Sequence, residues 1–159
     1  MKIIINQKEV SQARIEQWRK QRILKAAKML NLQLHNTDKT EILDQALLKA
    51  KMKLTYEELI HKIGTKLKWS QYLMKWAAKW SKKPRKRAVV TIFASGLTAA
   101  SFSKKLEKLM LEKTDAHKSV NLGACPDHYA LQPHGSKLEV IETAGNSPLP
   151  TQFFLDLGG

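Results

Sequence analysis

Three of the five histidines and the single cysteine of this 159-residue chain fall close together: His117, Cys125, His128 and His134. Thiolate and neutral imidazole are the side chains that zinc prefers. Cys125-x-x-His128 has the spacing of a ligand pair, and His117 or His134 could complete a tetrahedral set. The same residues allow a second chemistry. A thiolate beside an imidazole is a nucleophile, given an oxyanion hole. Glu139 or Glu142 would then serve as acid or base, and an enzyme would have its site in residues 117–142. No Cys-x-x-Cys accompanies the cluster and its spacing is irregular, which favours ordinary surface histidines. The expectation is therefore no cofactor and no catalytic residue, with zinc as the one candidate metal.

A different chemistry is written in Lys82–Arg87, where Lys82, Lys83, Arg85, Lys86 and Arg87 place five cations in six residues. Such a run contacts phosphates, and each phosphate neutralised steepens the salt dependence of binding. The run also has the composition of a nuclear localisation signal. It extends a series of lysines upstream, among them Lys75 and Lys79. Residues 1–87 hold 22 Lys+Arg against 7 Asp+Glu, a net +15, whereas residues 88–159 hold 6 against 7, a net −1. A regional excess of this size points to a polyanionic partner, nucleic acid before an anionic membrane surface.

The elements that must carry these charges can be read from pattern. All four Trp precede residue 84 and all five Pro lie at or after Pro84; Gly64 is the only Gly before Gly96. Gly64 apart, the first half is thus without helix breakers. Lys2–Gln7 is short and β-branched, a strand. Glu9–Asn31 has helical spacing, with Ile15, Trp18, Ile23, Ala26, Met29 and Leu30 on one face. Asp38 as N-cap and Glu41 at N3 open a second helix, with Ile42, Leu43, Ala46, Leu47 and Ala50 inward and Lys49, Lys51 and Lys53 in the last turn. Thr55-x-x-Glu58 is a capping box, and Gly64 reads as the end of its helix. A further helix, 65–82, carries a stripe of Trp69, Tyr72, Leu73, Trp76 and Trp80 beside a stripe of lysines. Ordinary core is the expected fate of that stripe. Stacking of nucleic-acid bases on exposed indoles is its functional alternative.

After Pro84 the texture changes. Ala88–Ala94 is a continuous apolar run, the pattern of a strand buried on both faces. Thr98–Lys113 reads as a helix with Phe102, Leu106, Leu109 and Met110 inward. His117–Pro126 reads as a loop, and 129–131, 138–141 and 152–155 as short strands. The expected class is α+β: a basic all-helical N-terminal half with a short N-terminal strand, then a small α+β unit. The expected divisions are 1–81 (nucleic-acid binding), 82–87 (basic linker) and 88–159 (partner or ligand binding, or dimerisation).

Strand, helix, short loop and a helix opening Asp38-Lys-Thr-Glu-Ile-Leu-x-x-Ala-Leu47 resemble the ribbon-helix-helix family of DNA-binding proteins. The resemblance covers residues 2–50. It implies a homodimer whose paired N-terminal strands enter the major groove, with Lys2, Ile4 and Asn6 facing bases and Lys39 and Thr40 facing the backbone. Duplex DNA is then favoured over RNA, as for a small transcriptional repressor or a plasmid or phage accessory factor. An RNA-binding or ribosome-associated protein is the runner-up. The start lacks the composition of a secretory signal, no apolar run reaches the ~18 residues of a membrane span, and one cysteine cannot form an internal disulfide. A cytoplasmic protein is expected, nuclear in a eukaryote.

Overall fold

A computed structural model describes residues 3–5, 8–34, 39–81, 96–111, 114–135, 137–144 and 147–156. The chain is α+β. Its order is β1 (Ile3–Ile5), β2 (Lys8–Val10), α1 (Gln12–Met29), α2 (Thr40–Lys53), α3 (Tyr56–Trp80), α4 (Ala99–Leu111), α5 (Asp115–Ala124), β3 (His128–His134), β4 (Lys137–Glu142) and β5 (Thr151–Asp156). The expected buried strand at 88–94 and the basic linker at 82–87 lie outside the described residues.

The N-terminal strand finds its partner within its own chain. β1 and β2 form an antiparallel hairpin in the register Ile3↔Val10, Ile4↔Glu9 and Ile5↔Lys8. The first helix accordingly begins later than its periodicity suggests, where Ser11 accepts a hydrogen bond from the Arg14 amide. It closes at Asn31, whose φ of 52° an asparagine tolerates better than most residues. Helix α2 starts at Thr40 with Lys39 at the N-cap and no side-chain cap, in place of the expected Asp38 cap.

Gly64 does not end a helix. One 25-residue helix, α3, runs through it, opened by the Thr55–Glu58 capping box. Without a left-handed φ or a following breaker, the cost of a glycine inside a helix is only about 1 kcal/mol against alanine. Packing of Leu59, Ile63 and Leu67, all buried, exceeds that cost at ~1.5–3 kcal/mol each. The two helices expected on either side of Gly64 are therefore one.

The 117–126 segment is largely helix and not a loop. Thr114 caps α5 by accepting from the His117 amide at 3.2 Å, and Gly123 lies against the Leu48 side chain of α2. The three C-terminal strands form an antiparallel sheet in the order β3-β4-β5, joined at the first turn through Gly135 with a φ of 63°. β4 is central and Leu138, Glu139, Val140 and Ile141 are all buried. Pro133 is tolerated because β3 is an edge strand.

One cluster of buried side chains joins both halves of the chain. Ile23, Ala26, Leu30, Leu43, Leu47 and Ile63 share it with Tyr129, Ala130 and Ile141. The inward residues expected for α4 fare differently: Phe102 and Leu106 are exposed and Leu109 is half-buried.

Candidate functional site

The sheet face that carries Glu139 holds α3 in place at two points about four turns apart. Near the helix start, the Tyr56 hydroxyl donates to Glu139 Oε1 at 2.8 Å. Near residue 71, the Gln71 amide donates to Gln152 of β5, whose own amide donates to Glu139. His134 Nε2 lies 3.0 Å from the other carboxylate oxygen. A carboxylate that is 1% exposed is thus supported by Tyr56, Gln152 and His134. Burial, then the bond and charge of Glu139, push the Tyr56 hydroxyl up to about 12.

Beyond Gln71 the helix leaves the sheet. Every residue from Tyr72 to Ser81 is exposed. Trp69, Trp76 and Trp80 are 61%, 57% and 69% exposed, so the expected core stripe is a surface stripe. At about 100° per residue, Ile63, Leu67 and Ser70 point to the core and Trp69 falls about 120° away from them; Trp76 and Trp80 lie where every face of the helix is exposed. Trp69 meets Tyr72 edge-on at 6.4 Å, and Trp76 and Trp80 lie 6.1 Å apart at a 44° tilt. Lys68, Lys75 and Lys79, all exposed, form a flank along one side of the aromatic stripe. A smaller echo sits on α1, where the Arg14 guanidinium stacks 5.1 Å over Trp18. Exposed aromatic groups next to fixed cations can stack planar groups and hold anions at the same time.

Of the residues expected to touch nucleic acid, Lys75 and Lys79 lie together on this surface. Lys39 is exposed at the α2 N-cap, Thr40 is half-buried beside it, and Ile4 pairs with Glu9 in the hairpin. Lys2, Asn6, Lys82, Lys83, Arg85, Lys86 and Arg87 lie outside the described residues.

The candidate zinc ligands are not brought together. His117 Nδ1 and Thr114 Oγ1 lie 2.6 Å apart at the start of α5. Cys125 Sγ accepts from Arg22 at 3.0 Å. His128 Nδ1 donates to the Asn121 carbonyl at 2.9 Å, with Nε2 3.3 Å from Glu142. His134 faces Glu139. Among the described residues no three His, Cys, Asp or Glu side chains converge to hold a metal. Helix α5 causes this separation, because it holds His117 and Cys125 at opposite ends.

Two polar residues, Lys51 and Asp127, are structural centres. Lys51, expected as a cation in the last turn of α2, is 3% exposed. Its ammonium donates to the carbonyls of Leu122 at 3.0 Å, Cys125 at 3.4 Å and His128 at 2.7 Å, closing the C-terminal end of α5. Burial lowers its pKa to about 8. Asp127, also buried, accepts from Arg22. The period of α2 does carry a signal for Lys51, which succeeds Leu43 and Leu47 at intervals of four.

No family model matches the chain, and searches of curated proteins and of solved structures return no match.

Proposed function

We propose that the protein binds single-stranded nucleic acid, RNA or DNA, on the free half of α3. The indoles of Trp69, Trp76 and Trp80 would stack bases while Lys68, Lys75 and Lys79 track the phosphates, and the run 82–87 would lengthen the cationic track. The exposure of the three indoles next to exposed lysines supports this reading over duplex DNA, because stacking needs bases that are not already stacked on one another. Each base stacked contributes about 1–3 kcal/mol, so two or three aromatic contacts with several phosphates give useful affinity without sequence readout. The regional charge of +15 on residues 1–87 supports the same class of partner. The cytoplasm, where single-stranded RNA is abundant, is the compartment that suits it.

Competition in one preparation tests the proposal. Labelled single-stranded RNA and DNA oligomers, duplex DNA and anionic lipid vesicles are compared, with tryptophan quenching as readout. Single strands are expected to quench and to displace duplex. Tighter binding of duplex would favour the ribbon reading of residues 2–50. Quenching by vesicles alone would overturn the proposal in favour of an interfacial helix.

A further inference from the structure

A cavity of about 280 Å3 lies between the α2–α3 turn, α5 and β3, lined by the first turns of α3 and by none of its indoles. Its walls are largely apolar, formed by Leu54, Leu59, Leu122, Leu131 and Tyr129. Two lysines and one carboxylate complete it. Lys51 lies in the wall, and Lys118 Nζ donates to the Met52 and Leu54 carbonyls at 3.3 and 3.4 Å. Asp115, in the first turn of α5, is the one acidic group in the lining. Among the described residues no carboxylate is hydrogen-bonded to either lysine; both are held by main-chain carbonyls.

Carbonyl oxygens satisfy the N–H groups of a lysine but do not neutralise its charge. Lys51 is buried in the wall and also feels the charges of Asp44 and Asp127, whereas Lys118 is exposed; the lining thus holds two cations against one carboxylate, and an anionic group on its exposed side would be attracted to Lys118. At the ~30 Å3 that a water molecule occupies, the space suits about ten non-hydrogen atoms. We propose that this cavity binds a small apolar monocarboxylate, with its hydrocarbon part between Leu59, Leu122 and Leu131 and its carboxylate at Lys118. The ligand would be independent of nucleic-acid binding on α3.

Octanoate is a suitable probe, compared with octanol and octylammonium by calorimetry on the full chain. Octanoate is expected to bind most tightly, with hexanoate about tenfold weaker, since each methylene buried adds roughly a factor of three to four. Lys118→Gln is expected to weaken octanoate about tenfold and to leave octanol unchanged. Leu131→Trp, which fills the chamber, is expected to abolish binding. In the unaltered protein, the methyl resonances of Leu54, Leu59, Leu122 and Leu131 are expected to shift with octanoate while the indole resonances of α3 stay in place. Octylammonium or octanol binding as tightly as octanoate, or octanoate shifting the α3 indoles and not these methyls, would overturn the proposal.

Discussion

The Tyr56 hydroxyl and the buried Glu139 carboxylate meet at 2.8 Å, and this one bond fixes where α3 crosses the sheet. The helix start is held there, and the Gln71–Gln152 bond holds it again about four turns later. The remaining turns, from Tyr72 onward, extend past the sheet into solvent. The exposure of the indoles is a consequence of this anchoring.

Removing the hydroxyl should therefore loosen the crossing. Tyr56→Phe leaves a buried carboxylate one donor short, and the expected loss is about 1–3 kcal/mol in denaturant unfolding at pH 7. Glu139→Gln should cost less, because the amide oxygen still accepts from Tyr56. A Tyr56→Phe variant as stable as the parent would show that the bond does not hold α3.

Alkaline titration reads the same site. Burial first, and Glu139 second, raise Tyr56 to about 12; burial raises Tyr129 to about 12, against its bond to Thr143. The folded protein thus keeps both protons in a range where the unfolded chain, near 10, has lost them. Their contribution to stability is complete below about 10 and is lost as the pH rises towards 12. Absorbance of the phenolate should show two of the three tyrosines ionising only near 12 or on unfolding.

Lys51 predicts the opposite slope. Its pKa is about 8 when folded and ~10.5 when unfolded, so below 8 the charge is carried in both states and burial penalises folding. The penalty is relieved as the pH rises from 8 to 10.5, because the unfolded chain then binds more protons. Lys51→Met removes this dependence but takes the ammonium donor from the Leu122, Cys125 and His128 carbonyls, of which Cys125 keeps the His128 amide at 3.2 Å. It should be less stable by about 1–3 kcal/mol at pH 7. The difference between parent and variant should widen from about pH 8 to 10, read by thermal or urea unfolding at each pH.

Arg22 holds Asp127 across the seam between α1 and the end of α5. Arg22→Met leaves a buried carboxylate unpaired, a change that costs ~3–5 kcal/mol in a closed interior. The guanidinium is partly open to water, so about 1–3 kcal/mol is expected here. Double substitution with Asp127→Asn should recover part of the loss, which a double-mutant cycle measures.

Trp76→Ala and Trp80→Ala should leave the melting temperature within about 1 °C, since truncation of an exposed side chain removes little packing. Single-strand affinity should fall about five- to a hundredfold for each. Lys75→Ala and Lys79→Ala should each reduce the salt slope for single strands by about 0.7. A melting temperature that falls by many degrees on Trp76→Ala would mean that the indole is packed.

Much of the scaffold is legible in the residues. The capping box at Thr55–Glu58, the buried Ile23, Ala26, Met29 and Leu30 of α1, Leu43 and Leu47 of α2, and strands near 129–131, 138–141 and 152–155 all arise from local pattern, whereas Trp18 and Ile42, expected inward, are exposed. The places where pattern and structure part have identifiable causes. Gly64 suggested a stop, but a glycine ends a helix only when something makes the left-handed turn worthwhile, and here the packing on both sides continues. His117–Pro126 suggested a loop, whereas Thr114 supplies the cap that starts a helix. Lys51 suggested only a last-turn cation, although it continues the buried spacing of Leu43 and Leu47.

By itself the sequence determined the class of fold, the helical first half, the concentration of charge on residues 1–87 and the placing of indoles and lysines on neighbouring stripes of one helix. Those depend on local propensity and on a period of about 3.6, which neighbours in the chain fully specify. Which stripe of α3 faces inward was decided only in three dimensions. Periodicity defines the faces of a helix but not which one meets the sheet. That choice falls to Tyr56, Ile63, Leu67 and Gln71, whose partners lie far along the chain in β4 and β5 or in other helices; it leaves Trp69 in water, and Trp76 and Trp80 follow on turns that extend past the sheet.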